Sequence, residues 1–169
     1  VSPSGAAGLW QFMMNSIGPY DLLVNEWVDE RKDFWKSTTA SLEKLSYNKS
    51  ELGDWLLAIA AYNCGINRLK KAIDESSSED FWELSRGDLL PVETRRYVPK
   101  FLAVAHIVEN AEMYGITLPS GSEWNWRRIH VKGQINLKLL AEHTGMPTNL
   151  LSLGNAELKS HVTPPTEYL

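Results

Sequence analysis

The most apolar stretch of the 169-residue chain is residues 55–62, in which every side chain is hydrophobic. Asp54 precedes this run and Gly65 follows it closely, and these residue types commonly begin and end helices. A helix that is apolar on all sides belongs in the interior of a protein. Because a bilayer crossing needs about 20 such residues, the pattern predicts a central buried helix over 55–63 and no membrane span.

Helical spacing of apolar residues recurs on both sides of this run. Three further helices have candidate N-caps: Ser37, Asn67 and Ser78. A longer helical pattern covers residues 93–114, and Pro99 inside it should kink or restart the helix. The glycine-rich residues 1–18 predict a turn that leads into a short helix.

The pattern changes after residue 119. Residues 120–122 are a Ser-Gly-Ser linker, and residues 128–131 alternate in the manner of a strand. Asn136 is the candidate cap of a short helix and Pro147 starts another, while the last three residues resemble the beginning of a second strand. The chain is therefore predicted to be mainly α, with one helical domain over 1–119 and a linker with a small βαα(β) appendage over 120–169.

Composition excludes several classes of function. The formal net charge is −4 and the chain has no basic run, which argues against nucleic-acid binding. A single cysteine, Cys64, excludes a disulfide framework and a cysteine-based zinc site, and the four histidines are scattered without ligand spacing. These counts argue against a metal enzyme. Seven tryptophans suit a dense core or a carbohydrate groove, because flat rings cover the apolar faces of sugars.

The first candidate for chemistry is the stretch 2–12. Gly5 and Gly8 accept positive φ and let backbone approach a ligand closely. Gln11 offers the donor and acceptor that a sugar hydroxyl or an acetamido group requires, and Trp10 supplies a flat face. The alternative is a tight turn before an aromatic residue that packs in the core.

Two further stretches carry polar groups beside apolar helices. Tyr62 and Asn63 close the apolar run, where they either satisfy the helix end or face a cleft. Glu93 either caps its helix or faces a ligand, and Tyr97 lies one turn further along the same face. Cys64 is interpreted as a small apolar filler, and the charged residues 29–33 as a solvated turn.

Taken together, these stretches resemble the soluble lytic transglycosylase family, through residues 5–12, 60–63 and 93–98 in this order and spacing. Three more matches narrow the resemblance to the membrane-bound lytic murein transglycosylase D branch: residues 29–31, 37–38 and 53–55. The resemblance covers residues 1 to about 118. The appendage looks like a degenerate, incomplete LysM-like peptidoglycan-binding module, through residues 131–137 and 150–158.

The resemblance implies a lysozyme-like α fold that binds peptidoglycan glycan strands and requires no metal or cofactor. It implies cleavage of the β-1,4 bond between N-acetylmuramic acid and N-acetylglucosamine by one Glu, which acts first as acid and then as base towards the muramic 6-hydroxyl. The acetamido group of the substrate would stabilise the cationic centre, and the product would be a 1,6-anhydro sugar.

By the same resemblance, Ser2 helps to place the reacting acetamido group and Tyr97 lies close to the catalytic carboxylate. Glu93 borders the side of the cleft that faces the stem peptides. Three residues match the sugar groove or adjoin it: Gln11, Tyr62 and Asn63. We therefore expect Gln11, Tyr62 and Tyr97 to share one groove.

The catalytic Glu of the family is followed by Ser and lies about nine residues before the position of Ser2. That place falls before Val1, so residues 1–169 are expected to be an inactive fragment of a longer enzyme, and Glu26, Glu30 and Glu93 offer no evident substitute. Two alternatives are a non-catalytic peptidoglycan-binding or scaffolding protein and a goose-type lysozyme-like hydrolase. The parent protein is expected in the periplasm or anchored to the outer membrane, and its oligomeric state is open.

Overall fold

Helices make up most of the regular structure in the computed structural model, which describes residues 2–119 and 126–168. The helices are α1 Phe34–Leu52, α2 Trp55–Cys64, α3 Ile66–Ser76, α4 Phe81–Arg86, α5 Val92–Glu109, α6 Leu137–Thr144 and α7 Thr148–Gly154. The strands β1 Val131–Lys132 and β2 Glu167–Tyr168 form one antiparallel pair. The predicted mainly α class is confirmed, whereas the linker at 120–122 lies outside the described residues.

The described residues fall into two compact units. The first unit contains residues 2–42 and 126–168, and the second contains residues 43–119. Helix α1 contributes its first half to the first unit and the rest to the second.

The second unit is built around α2, as the apolar run predicts. Asp54 caps this helix by accepting the Leu57 N–H at 3.0 Å, and Gly65 ends it with φ of +88°. Five consecutive residues of α2 are buried, from Leu57 to Ala61. Four of them, Leu57, Ile59, Ala60 and Ala61, form one core cluster with side chains of α3, α4, α5 and the loop before α5: Leu69, Ala72, Phe81, Leu84, Leu90 and Val98.

Three predicted helix starts are wrong, each by a few residues. Helix α1 begins at Phe34 rather than after Ser37, since Asp33 Oδ1 accepts the Lys36 N–H at 2.8 Å. Helix α3 begins directly after Gly65, so Asn67 lies inside its first turn. In α4 the cap is Asp80 rather than Ser78, because the Asp80 carboxylate accepts the Trp82 N–H at 2.6 Å.

Helix α5 runs through Pro99 without a break and ends at Glu109. The single helix predicted to reach residue 114 is thus shorter, and a separate 3-10 turn follows it over Ala111–Tyr114. Gly115, with φ of +67°, ends this turn. The proline therefore does not restart the helix, although its ring nitrogen cannot donate a hydrogen bond to Arg95 O.

The N-terminal part of the first unit is a series of turns. Ala7 and Phe12 form an antiparallel bridge, and a 3-10 turn over Met14–Ser16 stands where the short helix is predicted. Phe12 is buried with Ile17, Leu22 and Ala40, and Trp10 packs against this cluster.

The appendage, residues 126–168, packs on the N-terminal part within the first unit. Asn136 caps α6 as predicted, by accepting the Lys138 N–H at 2.9 Å, and Gly145 follows the last residue of the helix as its C-cap. Two backbone hydrogen bonds join the appendage to residues 27–29. Asp29 N–H donates to Glu157 O at 2.8 Å, and Lys159 N–H donates to Trp27 O at 2.9 Å.

Candidate functional site

Polar side chains meet in the second unit where α2 ends and α5 begins. Thr94 Oγ1 donates to Asn63 Oδ1 at 2.7 Å, and Asn63 Nδ2 donates to Glu93 Oε1 at 3.5 Å. Thr94 is buried and Glu93 is exposed. Asn63 is thus held by a buried hydroxyl on one side, and its amide reaches the exposed carboxylate on the other.

Tyr62 lies half-buried on α2, and Lys44 of α1 stands against its ring. The Lys44 Nζ atom is 4.7 Å from the ring centroid, a cation–π distance. Burial lowers the pKa of the Lys44 ammonium. No pattern in the sequence predicts this partner, because the two residues are 18 positions apart on different helices.

Tyr97 lies one turn after Glu93 on α5 and packs against the core of the second unit. Burial raises the pKa of its phenol, which stays protonated at neutral pH and can donate a hydrogen bond. Burial also raises the pKa of the half-buried Cys64 thiol, which packs against the same core. A thiol in this state is a poor nucleophile, and this environment agrees with the interpretation of Cys64 as a filler.

In the first unit, the glycine turn (residues 5–12) carries Gln11 on its exposed side. Gln11 has φ of +54°, a conformation rare for residues other than glycine. Its Nε2 donates to Gly8 O at 2.7 Å. Just before the turn, Ser2 Oγ accepts the Ala6 N–H at 3.0 Å, so Ser2 is tied to the same segment.

Four of the five residues in the charged segment (residues 29–33) are buried, which corrects the prediction of a solvated turn. Asp29, Glu30, Arg31 and Asp33 are each at most 6% exposed. The Arg31 guanidinium donates from Nε and Nη2 to the two oxygens of Asp29, both at 2.8 Å. Burial opposes ionisation of Asp29, but the bonds from Arg31 outweigh it, and the pKa of this carboxyl is lowered.

The remaining carboxylates of the charged segment are also paired. Glu30 accepts the Leu23 N–H at 2.8 Å and forms an ion pair with Lys36. Asp33 forms an ion pair with Arg128 of the appendage. Each buried charge therefore has an opposite charge beside it, as burial requires.

A further buried carboxyl, Glu157, lies in the appendage and accepts a hydrogen bond from the Tyr168 hydroxyl. Burial raises the pKa of the Glu157 carboxyl. Burial and the neighbouring Glu157 carboxylate raise the pKa of the Tyr168 phenol. A cavity of about 470 Å³ opens beside this pair, with Trp35 and Trp126 among its lining residues.

Two of the glutamates weighed in the sequence analysis, Glu26 and Glu30, are engaged in other contacts. Glu30 is buried in its ion pair, and Glu26 accepts the Trp27 Nε1–H at 2.9 Å. Across residues 2–119 and 126–168, no three His, Cys, Asp or Glu side chains converge as a metal site would require. None of the described helices has the length and apolar composition that a membrane crossing needs.

Two family models match the sequence, one over the glycine turn and the first helices and one over the βαα(β) appendage. The model described as "Transglycosylase SLT domain" matches residues 1–85. The model described as "Lytic transglycosylase MltD, LysM-like domain" matches residues 125–169. The chain belongs to the transglycosylase SLT family, with a lysozyme-like domain followed by a LysM-like domain.

Two of the curated relatives that the chain matches are named as lytic murein transglycosylases. The chain is 38% identical over 165 residues to membrane-bound lytic murein transglycosylase D of Escherichia coli (strain K12), a match that covers 94% of the chain and 36% of the relative. The same protein of Escherichia coli O6:H1 matches with the same figures. The chain thus spans about a third of the length of these relatives. A protein of Alteromonas sp. (strain M-1), named for tributyltin chloride resistance, is 39% identical over 69 residues, or 40% of the chain and 33% of that protein.

The predicted site residues fall into two sets. Asn63 and Glu93 are within hydrogen-bond distance, with Tyr62 and Tyr97 on the same two helices of the second unit. Ser2 and Gln11 belong to one segment of the first unit. That Gln11, Tyr62 and Tyr97 share one groove stays a prediction.

Proposed function

We propose that the protein to which this chain belongs is a peptidoglycan lytic transglycosylase. It cleaves the β-1,4 bond between N-acetylmuramic acid and N-acetylglucosamine and leaves a 1,6-anhydro end. The observation that carries the proposal is the succession of two family matches in one chain, an SLT domain and then an MltD LysM-like domain. The activity named for the Escherichia coli relatives supports it.

In the proposed reaction, a protonated Glu donates its proton to the leaving glycosidic oxygen. The acetamido group of the substrate stabilises the positive charge at the anomeric carbon, and the same carboxylate then removes the proton from the muramic 6-hydroxyl. The 6-oxygen closes the anhydro ring, so the product gains no water. By the family resemblance, the acid is proposed to lie about nine residues before Ser2, while Glu30 and Glu26 of this chain are engaged in other contacts.

Six residues of this chain are proposed to support that reaction. The exposed amide of Gln11 and the half-buried Tyr62 and Asn63 bind the sugars. Ser2 helps to place the acetamido group, and Tyr97 donates its phenolic hydrogen near the catalytic carboxylate, a role that its raised pKa supports. The exposed Glu93 faces the peptide stems.

The appendage is proposed to bind peptidoglycan as well, as its LysM-like family match suggests. We propose a domain boundary at 119/120, with the SLT domain before it and the linker and LysM-like module after it. Because the substrate lies outside the cytoplasmic membrane, the proposed location is the periplasm or the outer membrane. The words "membrane-bound" in the name of the relative agree with this.

Digestion of purified murein sacculi with the full-length protein tests the proposal. Mass spectrometry should detect muropeptides with 1,6-anhydro ends. Reducing ends would show a water-using hydrolase instead, and retention on sacculi without any released fragment would show a binding protein. Either result would overturn the proposed reaction.

A matched pair of substitutions tests the groove within the same assay. Tyr62→Ala should slow release of anhydromuropeptides on the order of tenfold or more, because a misplaced sugar loses its productive geometry. Tyr47→Ala removes an exposed tyrosine of the same unit and should leave the rate unchanged. Equal rates for the two variants would remove Tyr62 from the proposed site.

A further inference from the structure

The buried Arg31 contacts the glycine turn at both of its ends. Its Nη1 donates to Gly5 O at 2.9 Å and to Phe12 O at 3.1 Å. The same guanidinium is held in orientation by the two bonds to Asp29. One planar group therefore ties the first and last residues of the turn to a fixed anchor.

The main chain of Arg31 contacts the middle of the turn. A Cβ atom added to Gly8 would lie 1.7 Å from Arg31 O, a distance that no side chain can adopt. Gly8 also has φ of +77°, so its lack of a side chain serves both the turn and this contact. Arg31 thus supports the turn at both ends and in the middle.

The Asp29 anchor is itself braced by the appendage. The Asp29 N–H donates to Glu157 O at 2.8 Å, and Val28 bridges to Leu158. A continuous series of contacts therefore runs from the appendage through Asp29 and Arg31 to the glycine turn. All of these residues belong to the first unit.

One side of the glycine turn is exposed to solvent, so the turn does more than fill the core. Leu9 and Gln11 are exposed, whereas Ala6, Ala7 and Phe12 are buried. Gln11 holds an unfavourable positive φ, and such strain persists where the surrounding contacts determine the backbone. Arg31 holds the carbonyl of Phe12, the residue after Gln11, and acts beside the Ala7–Phe12 bridge and the bond from Gln11 Nε2 to Gly8 O.

We infer that Arg31 is a positioning residue: it holds the glycine turn, and through it Gln11, in the conformation that binds a glycan strand. This inference rests on the proposed function. A lysine cannot replace the guanidinium, because one ammonium group cannot span both oxygens of Asp29 and two backbone carbonyls.

Two substitutions in the full-length protein disturb the contact between Arg31 and the glycine turn, one on each side of it. Arg31→Lys keeps the charge and removes the planar set of donors, while Gly8→Ala keeps every charge and forces the turn away from Arg31 O. The matched control is Gly87→Ala, at an exposed glycine with extended backbone and no atom near the added methyl group. Calorimetric titration with an N-acetylglucosamine tetramer measures binding, and circular dichroism checks the fold.

The wild type and Gly87→Ala should bind the tetramer alike, and Arg31→Lys and Gly8→Ala should bind on the order of tenfold more weakly while folded. Amide hydrogen exchange in residues 5–12 should rise in both variants, with exchange in α2 unchanged. A purely structural role would leave the affinity of the folded variants at the wild-type value, which would overturn the inference.

The remaining outcomes are also decisive. Loss of the fold in both variants would show that Arg31 serves folding alone. If only one variant unfolds, the affinity of the folded variant for the tetramer tests the role of Arg31: weaker binding supports it, and wild-type binding contradicts it. A wild type that binds neither the tetramer nor sacculi would contradict the proposed function itself, whereas equal binding by wild type and variants contradicts only the role of Arg31.

Discussion

At the scale of single residues, each buried charge of the charged segment (residues 29–33) depends on a specific partner, and one of these partners is distant in sequence. Asp33 pairs with Arg128, which is 95 positions away, and Glu30 pairs with Lys36. Removing a charge from water costs several kcal/mol, on the order of the gain from a well-placed partner. Sequence alone shows five consecutive charged residues, and such a run is typical of a solvated turn.

Glu157 allows a pH-dependent prediction. Because burial raises its pKa, the folded protein holds this proton more tightly than the unfolded chain does. The protonated Glu157 carboxyl therefore contributes fully to the stability of the fold at acidic pH, below the ordinary pKa of a glutamate. This contribution is lost as the pH rises through the raised pKa of Glu157 in the folded protein. Glu157→Gln keeps an acceptor for the Tyr168 hydroxyl and removes the ionisation, so its stability relative to the wild type should increase with pH.

Urea denaturation from about pH 4 to about pH 8 measures this difference. Glu142→Gln removes an exposed carboxylate of α6 and is the control for the loss of one negative charge. The charged groups near Glu157 are Asp33 and Arg128, and both are unchanged in these variants. Parallel stability curves for the wild type and Glu157→Gln would contradict the prediction.

At the scale of elements, helix starts were predicted correctly where the cap stands directly before an apolar run. Asp54 before α2 and Asn136 before α6 are such cases. The prediction failed at α1 and α4, where Ser37 and Ser78 lie close to the carboxylates that cap the helices. Ser, Asp and Asn are similar in capping preference, so a pattern with several of them leaves the start uncertain by a few residues.

The cap of the central helix provides a second prediction. Asp54→Ala leaves the Leu57 N–H without its acceptor and should lower the free energy of unfolding by about 1 kcal/mol. Urea denaturation at neutral pH measures the change. Asp74→Ala, at an exposed position inside α3, should cause no loss, because alanine is the better helix former. A loss of equal size in both variants would show that the Asp54 cap is not the cause.

At the scale of the whole molecule, residues distant in sequence share one unit. The appendage pairs its backbone with residues 27–29 and its Arg128 with Asp33. The predicted boundary at 119/120 describes the order of domains along the chain, and it stays a prediction. The contacts of the first unit depend on three-dimensional packing, which a pattern along the chain does not contain.

Because the appendage packs against residues 23–33, loosening the appendage should also loosen those residues. Leu137 is buried in the appendage, and Leu137→Ala should cost about 2–5 kcal/mol. Hydrogen exchange measured by mass spectrometry should increase in residues 23–33 as well as in the appendage, because the two segments are bonded to each other. Leu139→Ala truncates an exposed leucine of the same helix and should change neither. An increase confined to the appendage would contradict the prediction.

The sequence by itself determined the mainly α class, the buried helix α2 with its cap, and the family resemblance, because these depend on local spacing and residue type. Only the tertiary structure placed Lys44 against Tyr62, buried the charges of segment 29–33, and brought Arg31 to both ends of the glycine turn. These contacts join residues that local patterns treat as independent, and the free energy of burying a charge depends on the partner that folding places beside it.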